Sequence, residues 1–304
     1  MPQRSRPEHR VRAQHRARTR SFPLKGEVCM SRLITDAMAA RLDMAGAVPK
    51  EQDLYAGTGT DFYERLVGPD RAEIREVLAL ARNSADPILD IAAGTGRLTV
   101  PLVRSGRRVT AIDLSDDMLR HLRRALPDHP MLDCAVADMR DFALAGRFGL
   151  IIIGATSITL LDRIGRSRLY ANVRRHLAAD GVFAFTIAGG ISAEGLSESR
   201  DQEIRVPGPD GDEIYLFSQQ IEDGGAVRVV NWVRASDVTE GGEVTVLTSR
   251  LRVLDHDILS QELIEAGFDP PAVSPVRTHH GADILLLTTS WAGPPEVVDD
   301  DAAH

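Results

Sequence analysis

The chain has 304 residues, 43% of them hydrophobic and 26% charged, which suits a globular fold with a sizeable core. No apolar run approaches the roughly 18 residues that would span a bilayer, and two cysteines, Cys29 and Cys134, make no disulfide framework. Residues 1–30 carry seven Arg and one Lys against two Glu, or +6, within a whole-chain charge of −8, so the body carries −14 and disfavours a partner held by phosphate contacts.

The expectation is a cytoplasmic protein with neither a nucleic-acid nor a membrane partner; nothing in the pattern sets its oligomeric state. Residues 1–30 read as a disordered basic extension without the apolar segment of a secretory signal. Met30-Ser31 is a second plausible start, so this segment could be a start-site artefact. Residues 293–304, with Asp299-Asp300-Asp301, read as an acidic tail.

Ala37–Met44 has a weak helical pattern, and a loop with Gly57 and Gly59 follows. Ile74, Val77, Leu78 and Ala81 recur at helical spacing. From Pro87 the pattern alternates between strands and helices. Pro87–Ile91, Arg108–Asp113, Met131–Ala137, Leu150–Gly154 and Gly181–Ile187 read as strands. Leu98–Arg104, Ser115–Arg124 and Arg166–Leu177 read as helices, with Ser115 as an N-cap. Ile151-Ile152-Ile153 is apolar on both faces, as an interior parallel strand requires. This alternation predicts an α/β fold, a Rossmann-like doubly wound sheet.

Between Ala188 and Leu254 three strands follow without helices, at Ile214–Ile221, Ala226–Ala235 and Val244–Leu254, with Gly-Gly turns between them. They read as an antiparallel β insertion after the fifth strand. A helix at His256–Ala266, closed by Gly267, and a strand at Ala282–Thr289 complete the pattern. The organisation expected is a core of residues 31–187 and 255–292 carrying a substrate-side subdomain at 188–254.

The first core strand ends in Asp90 and turns through Ala92-Ala93-Gly94-Thr95-Gly96. This turn lies at the carboxyl edge of the sheet, where open α/β sheets bind ligands. Asp113 ends the second strand 17 residues after Gly96, where an acid can accept from both hydroxyls of a ribose. A dinucleotide turn, G-x-G-x-x-G, would need glycine where Thr99 stands. Asp90 would repel a pyrophosphate but can face an ammonium or sulfonium group. These two residues argue against the rival reading, an NAD-dependent reductase.

Asp90-x-Ala92-x-Gly94-x-Gly96 resembles motif I of the class I S-adenosylmethionine-dependent methyltransferases, with Ala92 in place of the first glycine. Asp113, and Asp138-Met139 after the third strand, match the family's other acids. The resemblance implies S-adenosyl-L-methionine as cofactor. Its methionine part would lie on Asp90 and the backbone of Ala93, Gly94, Thr95 and Gly96, with Gly154 nearby. Asp113 would hold the ribose, Leu114 and Met118 would flank the adenine, and Asp138 and Met139 would bind its amino group and ring. No metal is expected; His279-His280 lacks metal-ligand spacing.

In small-molecule members of the family, segments like Leu54–Tyr63 fold over the cofactor, which makes Tyr55 and Tyr63 lid and catalytic candidates; core packing is the rival reading. Thr156 and Ser157, in the loop after the fourth strand, are candidates for orienting the acceptor. His279 is a candidate base. The inserted sheet resembles those of amino-sugar and peptide N-terminal N-methyltransferases, and the pattern around Tyr55, Gly94 and Thr156 most resembles the methyltransferases of daptide-type ribosomal peptide pathways. The implied reaction is methylation of an amine on a small molecule or peptide in natural-product biosynthesis, with an O-methyltransferase as the alternative. Glu194, Glu198, Asp201 and Glu203 read either as a lure for a cationic amine or as a solvated face.

Overall fold

The computed structural model describes residues 33–69, 71–276 and 284–291. The basic head, the acidic tail, Cys29 and His279 lie outside them. Four elements precede the glycine turn: α1 (Asp36–Met44), β1 (Val48–Asp53), α2 (Thr58–Val67) and α3 (Ile74–Asn83). The alternating run is β2 (Ile88–Ile91), α4 (Thr99–Arg104), β3 (Val109–Asp113), α5 (Asp116–Ala125), β4 (Leu132–Val136), β5 (Phe148–Ile153), α6 (Arg163–His176) and β6 (Leu177–Ala188). Then come α7 (Gly190–Leu196), β7 (Arg200–Gly208), β8 (Gly211–Glu222), β9 (Val227–Arg234) and β10 (Glu243–Arg252). The described chain closes with α8 (His256–Glu265), β11 (Ala272–Val276) and β12 (Ile284–Ser290).

The main sheet has the order β11-β12-β6-β5-β2-β3-β4. β6, β5, β2, β3 and β4 run parallel, and β12 is antiparallel to both β6 and β11. Strand order therefore reverses at β2 and β5, opening a crevice at their carboxyl ends. Every residue of β2 and β5 is buried, because helices cover both faces. Leu89, Ile91, Ile151, Ile153, Phe183 and Phe185 pack with Leu169 and Val173 of α6 and Leu259 and Leu263 of α8. Their neighbours Ile88, Leu150, Ile152 and Ala184 face Val77 and Ala81 of α3, Leu102 of α4 and Leu119 of α5. Each fully buried aliphatic side chain contributes about 1.5–3 kcal/mol of transfer free energy. The fold is the Rossmann-like doubly wound α/β sheet that the alternation predicts.

The second sheet has the order β1-β10-β9-β8-β7. The three strands expected in the insertion correspond to β8, β9 and β10 with ends shifted by one to three residues, and two more extend the sheet. β7 follows α7, a helix where none is expected, and β1, which falls inside the expected core of residues 31–187, pairs parallel with β10 of this second sheet instead. Both extra strands are polar and largely exposed, as edge strands that resist further pairing tend to be, so neither shows an apolar alternation. Side-chain parity divides the sheet. Leu216, Val233, Val244 and Val246 pack on Met38 and Leu42 of α1, while Tyr215, Phe217, Val230, Trp232 and Leu247 gather around Leu54 and Phe62 of the lid segment.

Candidate active site

Asp90 is the penultimate residue of β2 and is 1% exposed. Thr99, the first residue of α4, donates from Oγ1 to Asp90 Oδ2 at 2.5 Å. Burial pushes the Asp90 carboxyl up to about 7, against the lowering effects of this hydrogen bond and of Arg97. The residue that excludes a dinucleotide turn thus also holds the motif acid. Gly96 has φ +96°, and a Cβ there would lie 2.4 Å from Leu122 Cδ1, so this position requires glycine. Ala92 adopts φ +54°, a left-handed conformation that costs an L-residue about 1–2 kcal/mol.

Asp113 closes β3 with both oxygens engaged. Its Oδ2 accepts from the Gly94 N–H at 2.8 Å and its Oδ1 from the Ser115 N–H at 2.8 Å. Burial raises its pKa, opposed by these backbone donors. Ser115 caps α5 by accepting from the Met118 N–H. Asp138 accepts from Arg140 Nε on both oxygens and from Nη2 on Oδ2, which holds its pKa below the usual carboxylate range.

A cavity of about 580 Å³ at the crevice is lined by Ala92, Gly94, Asp113, Leu114, Met118, Asp138, Met139, Tyr55, Tyr63 and Ser157, among others. Leu114 is 68% exposed there, an apolar surface open to a planar ring, whereas Met118 is buried beneath. A smaller cleft continues from it past Asp90, Ala93, Thr95 and Gly154. A Cβ on Gly154 would meet Leu98 and Glu73 at 2.4 and 2.9 Å, so close packing accounts for that glycine.

Glu73, Arg97, Arg200 and Arg228 are absent from the sequence-based candidates. Glu73 is 1% exposed, pairs with Arg97, and accepts from the Ala155 N–H at 2.8 Å. It thereby pins a turn in which Ala155 and Thr156 both have positive φ, strain of a kind that persists where surroundings over-determine it. A buried acid in a helix-forming stretch gives no sequence signal until its partner is known.

The lid segment is tied across the crevice by the Gly57 N–H, which donates to Asp117 Oδ2 at 2.7 Å. Tyr55 and Tyr63 meet edge to face with centroids 5.4 Å apart. Burial raises both phenol pKa values, so both are neutral near pH 7. Beyond them lies a second cavity of about 290 Å³ under the inserted sheet, also lined by Thr156, Ser157, Arg200, Phe217, Arg228 and Trp232. Tyr55, Tyr63 and Ser157 border both cavities. Glu194, Glu198, Asp201 and Glu203 line neither cavity; all four are exposed, and Glu203 pairs with Arg41.

This crevice has parts that suit a nucleoside joined to a cationic group: an acid at the end of β3, an apolar shelf, bare glycine backbone and a buried carboxyl group. They define a nucleoside-cofactor-dependent α/β enzyme. Residues 88–181 match the family model described as "Methyltransferase domain". The chain is 26% identical over 198 residues to the dTDP-3-amino-3,4,6-trideoxy-alpha-D-glucopyranose N,N-dimethyltransferase of Streptomyces venezuelae, covering 62% of this chain and 75% of that protein. It is 33% identical over 147 residues to the dTDP-3-amino-3,6-dideoxy-alpha-D-glucopyranose N,N-dimethyltransferase of Streptomyces fradiae, covering 46% and 52%. The crystal structure of the glycopeptide N-methyltransferase MtfA with S-adenosyl-L-methionine superposes with a TM-score of 0.56 at 28% identity, covering 85% of this chain and 98% of that one. The chain is a class I S-adenosylmethionine-dependent methyltransferase.

Proposed function

We propose that the enzyme methylates an amine of a small molecule or peptide in natural-product biosynthesis. The observation that carries this reading is the junction of the two cavities at Tyr55, Tyr63 and Ser157, together with what lines the second one. Among its described lining residues there is no Asp, Glu or His, and its phenols are held protonated by burial. A hydroxyl acceptor needs a base to become nucleophilic. A neutral amine carries its own lone pair and needs only to be placed. The relatives named for N-methylation agree with that chemistry.

S-adenosylmethionine supplies a methyl group already activated on a sulfonium. In this proposal Asp90 faces the cofactor's ammonium end, and Asp113 accepts from the ribose. Leu114, Met118 and Met139 flank the adenine, and Asp138 accepts from its amino group. The hydroxyls of Tyr55, Tyr63 and Ser157 orient the acceptor amine. Transfer would form the N–C bond as the sulfonium–methyl bond breaks, giving a methylated ammonium and neutral S-adenosylhomocysteine; the ammonium's proton leaves to solvent before a second round. Alignment of this kind can lower a barrier by about 7–11 kcal/mol without acid–base chemistry.

The test pairs amines with their hydroxyl isosteres, among amino sugars and short peptides, and follows methyl gain by mass spectrometry. Amines gain one or two methyl groups and the hydroxyl partners none. Methylation of the hydroxyl series alone would overturn the proposal.

A further inference from the structure

We propose that Arg200 and Arg228 form an oxyanion subsite in the acceptor cavity, so that the methylated amine belongs to a molecule that also bears a carboxylate or phosphoryl group. The inference rests on the reading of the cavity under the inserted sheet as the acceptor site.

Both side chains line that cavity, and neither has a carboxylate partner among the described residues. Three other arginines on or against this sheet do: Arg65 and Arg234 pair with Glu213, and Arg250 pairs with Glu222 and Asp223. Arg228, half-buried on β9, donates from Nη1 to Gln219 Oε1 at 3.1 Å, a neutral acceptor. Gln219 is 1% exposed and is itself fixed, since its Nε2 donates to the backbone carbonyls of Gly195 and Glu198 at 3.1 and 2.6 Å. The Arg228 guanidinium is therefore held in place by a group that does not neutralise it.

Arg200 is the register partner of Gln219 on β7, and its guanidinium lies 5.5 Å from the Phe217 ring centroid. Burial pushes Arg228 down to about 10, with the like charge of Arg200 acting in the same direction, yet it remains a cation at neutral pH. Arg252 stands with Arg228 in an adjoining small cleft.

Holding like charges over a partly dry cavity costs stability unless something compensates. A guanidinium fork matches the paired oxygens of a carboxylate or phosphoryl group. The same field disfavours an ammonium in the cavity and so favours the neutral, nucleophilic amine. Leu54, Ile204, Phe217, Val230 and Trp232 complete the lining and suit an apolar body between the two polar ends.

The test titrates benzoate, phenyl phosphate and uncharged benzyl alcohol into the full chain saturated with S-adenosylhomocysteine. At least one anion should bind about tenfold tighter than benzyl alcohol, as a charge-assisted hydrogen-bond pair predicts. Preference for benzoate assigns a carboxylate source, and preference for phenyl phosphate a phosphoryl source. Arg228→Gln and Arg200→Gln should each remove most of that preference, Arg228→Lys should keep part of it, and affinity for S-adenosylhomocysteine should not change. Arg200 is exposed, so Arg200→Gln remains informative if Arg228→Gln fails to fold. Equal binding of charged and neutral probes, or anion binding unchanged in both glutamine variants, overturns the subsite. Amine methylation without anion preference sinks the subsite alone. Anion preference without amine methylation sinks the amine reading alone.

Discussion

The Thr99 hydroxyl donates a 2.5 Å hydrogen bond to the Asp90 carboxylate, with both side chains buried. Burial favours the protonated acid and outweighs the lowering effects of Thr99 and Arg97, which lifts Asp90 to about 7. Because that folded value lies above the unfolded one of 3.8, ionising this group weakens the empty fold as pH rises from about 4 to 7. Cation binding requires the ionised form, so the sign reverses for the cofactor.

S-adenosylmethionine affinity should therefore rise with pH up to about 7 and then level, falling about tenfold per pH unit below that. Thr99→Val removes a bond that favours the carboxylate, a charged hydrogen bond of about 1.5–3 kcal/mol. The midpoint should then move up by one to two units. Calorimetric titrations from pH 5 to 9 check both shifts. A flat profile in the wild-type enzyme would show that Asp90 does not face the cofactor's cation.

Asp113 has a double task, because the oxygen that accepts from Gly94 also sets the glycine turn. Asp113→Ala should weaken cofactor binding at least tenfold, since a charged hydrogen-bond pair is worth about 1.5–3 kcal/mol. Asp113→Asn keeps an acceptor for one backbone donor and should lose less. Fluorescence titration with S-adenosylhomocysteine measures both. Unchanged affinity in Asp113→Ala would make the residue a turn-former only.

The core was legible because β5 and its neighbours are apolar on both faces, and because the candidate acids Asp90, Asp113 and Asp138 stand at or just beyond strand ends. The edge strands β1 and β7 were not, since their side chains face solvent and carry charge. Thr99 was legible as an exclusion but not as a partner of Asp90, a contact made across a turn. Arg200 and Arg228 were illegible for a related reason. Arginine on a strand reads as a solvent-facing residue until the sheet is seen to roof a cavity.

Ala92 stands at φ +54° where the family motif carries glycine. Ala92→Gly relieves a left-handed strain of about 1–2 kcal/mol but adds about 0.4–1 kcal/mol of unfolded-state entropy. The net change should be zero to a slight gain in stability, with cofactor affinity kept. Ala92→Val places a β-branched residue at positive φ and fills space shared by the cofactor cavity and the cleft beside Asp90. It should lose about 2–3 kcal/mol as well as affinity. Urea unfolding midpoints separate the two substitutions, and equal stability for both would remove strain as the account of this position.

Tyr55 and Tyr63 meet at the neck between the two cavities, and burial keeps both phenols protonated. If their hydroxyls orient the amine, Tyr55→Phe and Tyr63→Phe should lower kcat by about 10- to 100-fold, the scale of a misplaced near-attack geometry. Cofactor affinity should change little, because the rings still close the lid. A phenolate base would give a rate that climbs with pH through the raised phenol range and a log-linear loss below it. An orienting phenol gives a rate that follows only the ionisation of the acceptor amine. The pH–rate profile of the wild-type enzyme, set beside those of the two Phe variants, distinguishes these roles. If both variants keep full kcat, the tyrosines are packing residues of the lid segment and the amine is oriented by Ser157 and the backbone of the strained turn at Ala155–Thr156.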